Sequence, residues 1–184
     1  PLTRPMCSPI GDGAAAAVVV SERKARQLGL TDRVRVVSSV LHSGWDRGAD
    51  EPGTVELCAA DAYAEAGVGP EDLNIIEVHD ASAPAELMAY ESLGLCPKGE
   101  SGHLIDSGET WLTGRIPVNT SGGLLRKGHP VGATGIAQIV ELTDQLLGRA
   151  GERQVKNPKV ALAQNGGGSI GNDAAAMSVT ILTR

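Results

Sequence analysis

The chain has 184 residues, 24 of them glycine and none phenylalanine, with aromatics at 2% and a formal net charge of −6. That length can bury a core packed from Val, Ile, Leu and Ala, while an acidic balance without any basic cluster argues against nucleic-acid binding. Three widely spaced cysteines (Cys7, Cys58, Cys96) make neither a disulfide framework nor a CxxC metal pair and point to a reducing, cytoplasmic setting, and no run of 18 apolar residues predicts a membrane span.

Gly11-Asp-Gly13 signals a turn, and the apolar run Ala14 to Val20 is short enough for a buried strand. Ser21 caps a predicted helix over Glu22 to Leu28, which Gly29 stops. Val34 to Leu41 reads as a strand, and His42 to Pro52 as an irregular, acidic, glycine-rich stretch. From Thr54, a plausible N-cap, Val55, Cys58, Ala59, Ala62 and Ala66 form a small-residue stripe at helical spacing that Gly67 ends. Asn74 to Val78 is a buried strand running into His79-Asp80, Ala83 to Leu93 a helix, and Cys96 to Trp111 a loop.

A glycine-rich segment, Asn119 to Gly135, precedes an amphipathic helix marked by Ile136, Ile139, Val140, Leu146 and Leu147. Val160 to Ala163 and Ala174 to Leu182 are the last strands, joined across a glycine turn as an antiparallel hairpin. Strands alternating with helices predict an α/β fold, a layered mixed β-sheet with helices on both faces and at least one parallel crossover. Residues 1–33 read as a structural unit separate from 34–184.

Two glycine motifs are decoys. Gly123-x4-Gly128 is followed by His129-Pro130 where a phosphate loop needs Lys and Ser or Thr. Gly166-x-Gly168-x-x-Gly171 leads into a strand, not the helix a dinucleotide fingerprint requires. The four histidines, at 42, 79, 103 and 129, lack metal-ligand spacing.

Three loops remain as site candidates. His129 ends the glycine segment, where glycine lets a substrate approach backbone N–H groups; it is a candidate base or donor, or else a loop histidine bonding its own turn. His79-Asp80 follows a buried strand, a position that lines a crevice or merely caps the next helix. Gln164-Asn165 stands before Gly166-Gly167-Gly168, as binding amides or as a tight hairpin.

Together these loops resemble the C-terminal half of the thiolases, within them the sterol-carrier-protein type. The resemblance rests on Asn119-x-x-Gly-Gly-x4-Gly-His-Pro-x-Gly-Ala-Thr-Gly135, on Val78-His-Asp-Ala-Ser82 with Ala85 to Pro97, and on Asp12 to Glu22. It implies a thiolase-like C-terminal domain over 34–184, with 1–33 as the closing strand and helix of the N-terminal domain. The implied chemistry is carbon–carbon bond formation or cleavage on acyl-CoA, with coenzyme A thioester as substrate and no further cofactor or metal. His129 then takes the activating and oxyanion-hole role, and His79 contributes to the oxyanion hole through a water. Asn119, Gly128, Gln164, Asn165, Gly167 and Gly168 are the implied substrate-binding residues.

Departures narrow this reading. The two customary positions of a second cysteine hold Ala81 and Gln164, and glutamine is no base. The acylated cysteine would lie upstream of Pro1, so the chain alone is not expected to complete the reaction. The alternative is a non-catalytic acyl-CoA or lipid-binding homologue. The implied partners are a thiolase N-terminal half, on the same or a separate chain, in a homo- or hetero-oligomer, with a small OB-fold subunit in some relatives. Without that half, the run Ala14 to Val20 lacks a sheet to join.

Overall fold

A computed structural model of the chain describes residues 2–48 and 50–184; Pro1, in the predicted first unit, and Ala49, in the irregular stretch, lie outside the described residues. Four strands form one sheet: β1 (Arg35–Ser43), β2 (Ile75–Glu77), β3 (Val160–Gly167) and β4 (Ala176–Thr183), in the order β1-β4-β3-β2. β4 pairs antiparallel with both β1 and β3, and β2 pairs parallel with β3. The sheet is therefore mixed, and the closing hairpin is present as expected. One extra residue, Val37, interrupts the register of β1 on β4.

Strand periodicity sorts the core into two layers. Ile76, Leu162, Met177, Val179 and Ile181 face α2 (Thr54–Ala66) and α3 (Ala83–Ser92). Ile75, Ala161, Ala163 and Leu182 face the other way, against Leu142 and Leu146 of α6 (Thr134–Leu147). Helices thus cover both faces. With no phenylalanine to fill the gap, α2 lies close on the sheet through Cys58, Ala59 and Ala62, each at most 1% exposed. Among the described residues no helix is long and apolar enough to cross a membrane.

Several expectations need correction. Ala14 to Val20 forms no strand: Val18 and Val19 are 93% and 80% exposed, and none of the described strands pairs with this run. The helix after it, α1 (Glu22–Gln27), does form, and Ser21 Oγ accepts the Lys24 N–H as its cap. The expected loop 96–111 contains a short helix, α4 (Ser101–Asp106), and the glycine segment contains another, α5 (Gly123–Lys127).

Thr54 is not the N-cap of α2 but its first residue. Its N–H and its hydroxyl both donate to one oxygen of Asp173, at 2.8 and 2.9 Å, and Arg47 Nε donates to the same oxygen at 2.9 Å. A carboxylate from the hairpin turn, 119 residues downstream, so caps the helix and fastens Arg47 to it. Asp173→Ala removes all three bonds and is expected to cost about 2 kcal/mol, read as a lower urea midpoint with unchanged m-value.

Glu77 ends β2 at 1% exposure, where it accepts the N–H and the hydroxyl of Ser121, with Lys127 Nζ 3.9 Å away. Burial raises its pKa to about 7 despite the Ser121 bonds. The folded state then binds this proton more tightly than the unfolded chain, whose glutamate titrates near 4.5. The stabilisation is full below pH 4.5 and is lost as pH rises towards 7. Glu77→Gln is expected to gain roughly 2–3 kcal/mol relative to wild type between pH 4.5 and pH 8, measured by urea denaturation at both ends.

Candidate functional site

The parallel pair β2/β3 and the segment at Val118, which bridges Ile76 in parallel on the far edge of β2, all leave the sheet at the same end. The C-terminal end of parallel strands is where open α/β sheets gather polar loops. Three of the predicted site segments start here: His79 after β2, Asn119 after Val118, and Gln164-Asn165 towards the end of β3.

Asn119 takes a left-handed conformation, φ 53°, which an Asn tolerates better than most residues. From there its Oδ1 accepts the Val78 N–H at 2.9 Å and its own N–H donates to Ile76 O at 2.8 Å, extending the ladder past the end of β2. Its Nδ2 donates to Glu86, which also accepts the Tyr90 hydroxyl; burial pushes the Glu86 carboxyl up from its usual range. Gln164 is 4% exposed. Its Oε1 accepts the His79 N–H at 2.9 Å, and its Nε2 faces the Met177 sulfur at 3.0 Å. Asn165 Nδ2 donates to Gln138 Oε1 at 3.1 Å, and Gln138 Nε2 in turn to Gln164 O. These four amides hold backbone and, between Asn165 and Gln138, one another at the root of the site. Gly167 and Gly168 beyond them are exposed, whereas Gly128 is buried.

His129 and His79 are brought together. Their ring centroids lie 4.9 Å apart with an interplanar angle of 87°, edge to face. Burial and the neighbouring His129 lower the His79 pKa to about 4, so this ring is neutral throughout the physiological range. Its Nδ1 is buried and has no hydrogen-bond partner among the described residues.

His129 Nδ1 lies 2.8 Å from Thr134 Oγ1, and that hydroxyl donates its proton to Pro130 O at 3.1 Å. A hydroxyl has one proton, so in this arrangement Nδ1–H is the donor to Thr134. The neutral ring therefore carries its lone pair on Nε2. Thr134, 2% exposed, sets the tautomer of the histidine five residues before it.

The backbone of His129 is held from an unexpected direction. Its N–H donates to Pro9 O at 2.8 Å, and Ser8 N–H donates to Ala81 O at 3.0 Å. Residues 7–10 thus lie along both histidine loops, bridging Ser82 at one end and His129 at the other. Asp80, which the sequence offered as a cap for the next helix, instead accepts the N–H groups of Leu124 (2.7 Å) and Leu125 (3.2 Å) in α5. No spacing in the sequence signals either contact, since the partners are more than forty residues apart. Thr134 had a local signal: a hydroxyl one helical turn after Pro130.

Among the described residues no group of three or more His, Cys, Asp or Glu side chains is placed to hold a metal ion. The site is instead two imidazoles, one neutral by burial and one with its tautomer fixed, framed by glycine backbone and anchored amides. Such a pair can take up a proton at Nε2 of His129 and offer hydrogen bonds to an oxygen that gains charge.

The chain as a whole is similar to known proteins. A profile described as thiolase C-terminal domain-like matches residues 52–184. The chain is 42% identical over 173 residues to sterol carrier protein 2 of Rattus norvegicus, covering 89% of this chain and 32% of that protein. It is 43% identical over 173 residues to the benzoylsuccinyl-CoA thiolase subunit BbsB of Thauera aromatica, covering 91% of this chain and 45% of that subunit. A solved structure named as an Ltp2-ChsH2(DUF35) aldolase superposes with a TM-score of 0.70 at 25% identity, over 82% of this chain and 39% of that one. The chain spans from about a third to just under a half of the length of these relatives. On the match across 133 of its residues, this chain belongs to the thiolase C-terminal domain-like family.

Proposed function

We propose that the chain is the C-terminal part of a thiolase-superfamily protein acting on acyl-CoA thioesters, with His129 as activating and oxyanion-hole residue and His79 beside it. The carrying observation is the Thr134 hydrogen bond, which leaves Nε2 of His129 free as an acceptor. In the first step Nε2 takes the proton of a thiol supplied from outside the described residues, and that thiolate attacks the thioester carbonyl. The same nitrogen, now Nε2–H, donates to the carbonyl oxygen as it gains charge. Removing one such donor is worth on the order of 10²–10³ in rate. His79, neutral and with a buried unpartnered nitrogen, serves as a polar group towards that oxygen, directly or through a water.

The names of two relatives, one a CoA thiolase subunit and one an aldolase with a DUF35 component, support placing this chain in a multi-subunit assembly on a CoA ester. Cytoplasmic residence, a thiolase N-terminal half and a small OB-fold subunit belong to the same proposal. The exposed strip at Val18 and Val19 is the surface that an N-terminal half would take into its sheet.

A second reading, a non-catalytic acyl-CoA or lipid-binding homologue, is favoured by one feature. Ala81 carries no functional group, and the Gln164 amide is bound to His79 N–H and Met177, so neither position offers a second acid–base group.

In the full-length protein His129→Ala is expected to lower acyl-CoA turnover about 10³-fold, and Thr134→Val about 10–100-fold in kcat by releasing the tautomer. Wild-type protein that binds acyl-CoA by calorimetry yet turns over none establishes the binding reading instead. In NMR titration of the chain, the His79 ring signals are expected to stay flat from pH 8 down to about 5.5, because the folded ring protonates only near pH 4. Since the ring binds its proton less tightly than in the unfolded chain, it also withdraws stability as pH falls from 6.5 to 4.

A further inference from the structure

We propose that Asp80 is the positioning residue for both imidazoles, its buried carboxylate fastening the first turn of α5, and so the start of the Gly128-His129 loop, to the loop that carries His79. The part concerning catalysis rests on the function proposed above; the geometry does not.

Asp80 is 2% exposed and adjacent to His79. Its own N–H is bound to Val78 O at 3.1 Å, so the side chain projects from a fixed point. Oδ1 accepts Leu124 N–H at 2.7 Å and Oδ2 accepts Leu125 N–H at 3.2 Å. Leu124 in turn accepts the Gly128 N–H at 3.0 Å through its carbonyl. Gly128 directly precedes His129. The path from the His79 loop to the His129 loop is thus two hydrogen bonds long and runs through a five-residue helix with little freedom of its own.

The backbone of α5 is shaped around the carboxylate. Gly123 has φ +59°, and a Cβ there would stand 2.2 Å from Oδ2 and 2.7 Å from Cγ of Asp80. Any side chain at 123 displaces either the helix turn or the carboxylate, so this glycine preserves the contact.

Other contacts set different properties of His129. Thr134 fixes the ring's tautomer, and Pro9 O holds its backbone N–H. Glu77 and Lys127 hold Ser121 on the far side of α5. Asp80 makes the only side-chain hydrogen bonds among the described residues that join 79–82 directly to 122–130. It therefore governs the separation and angle of the two rings.

The test compares Asp80→Ala, Asp80→Asn and Gly123→Ala in the full chain by NMR, with circular dichroism to establish folding. Asp80→Ala and Gly123→Ala are each expected to lose the nuclear Overhauser cross-peak between the His79 and His129 rings, and the double variant to be no worse than the more affected single one. Asp80→Asn keeps one acceptor oxygen and is expected to retain a weakened cross-peak; it also serves if the alanine variant fails to fold. In the full-length protein, Asp80→Ala is expected to lower kcat about 100-fold while KM changes little, the result of misplaced groups and not of lost binding. A folded variant, Asp80→Ala or Gly123→Ala, that keeps the wild-type cross-peak overturns the proposal. A lost cross-peak with unchanged turnover sustains Asp80 as the clamp between the rings and overturns instead the catalytic reading of the two histidines.

Discussion

Parallel pairing of a three-residue strand on both its edges is the constraint from which the rest of the site follows. β2 is buried at all three positions, with Ala161–Ala163 on one side and Val118 on the other. Parallel neighbours run the same way, so the chain must leave all three at the same end of the sheet. What leaves is Val78-His79-Asp80, Gln164-Asn165 and Asn119. Their convergence is a consequence of direction before it is a consequence of any particular side chain. The side chains then complete the ladder where the strands stop: Asn119 Oδ1 takes the Val78 N–H, and Gln164 Oε1 takes that of His79. Two backbone donors that would otherwise be buried and unpaired, each a cost of about 1–3 kcal/mol, are satisfied by amides.

This arrangement separates support from function. Glu77, Asp80, Gln138 and Gln164 are each 4% exposed or less, and each has hydrogen-bond partners in the protein. Beside them His79 Nδ1 is buried without one. A fold that satisfies its amides and carboxylates but leaves one imidazole nitrogen unpaired places a local energetic cost at that nitrogen, and such costs concentrate where ligands are handled. The lowered pKa of His79 has the same origin, because burial and a second imidazole both oppose a positive charge there.

How far the sequence carried depends on the range of the interaction concerned. Helices α2 and α6 and strands β2 to β4 are local-pattern features: small residues at helical spacing, apolar runs of strand length, glycine after the last turn. They formed within a few residues of expectation. So did the Ser21 cap, which acts across three residues. Apart from the short local helix α4, missed inside an expected loop, the failures are long-range. Ala14 to Val20 has strand composition, but a strand needs a neighbour, and the described residues provide none. Thr54 looked like a cap because Asp173 could not be foreseen 119 residues away. α5, holding an αL glycine and only five residues long, is no autonomous helix; Asp80 supplies the acceptors for its first turn, so its propensity is written elsewhere in the chain. Of the site, the glycine motif and both histidines could be singled out. The Pro9 and Asp80 contacts that hold them could not.

The glutamine at position 164 shows why residue identity alone misleads at such a site. Met177 lies 3.0 Å from one end of its amide and the His79 N–H 2.9 Å from the other. A cysteine there would be too short to reach both and would leave the His79 N–H unpaired, so the side chain that removes an acid–base group is also the one that holds the neighbouring histidine. Exchange of glutamine for cysteine is thus no simple restoration of a reactive group, since it loosens His79 as it adds a thiol. With that position committed to support, the proton transfer proposed above falls to the Nε2 of His129, whose availability depends on a single hydroxyl, that of Thr134. In the proposed function, chemistry at this end of the sheet is therefore concentrated in one nitrogen, and most of the surrounding polar residues act by deciding where it stands and which proton it carries.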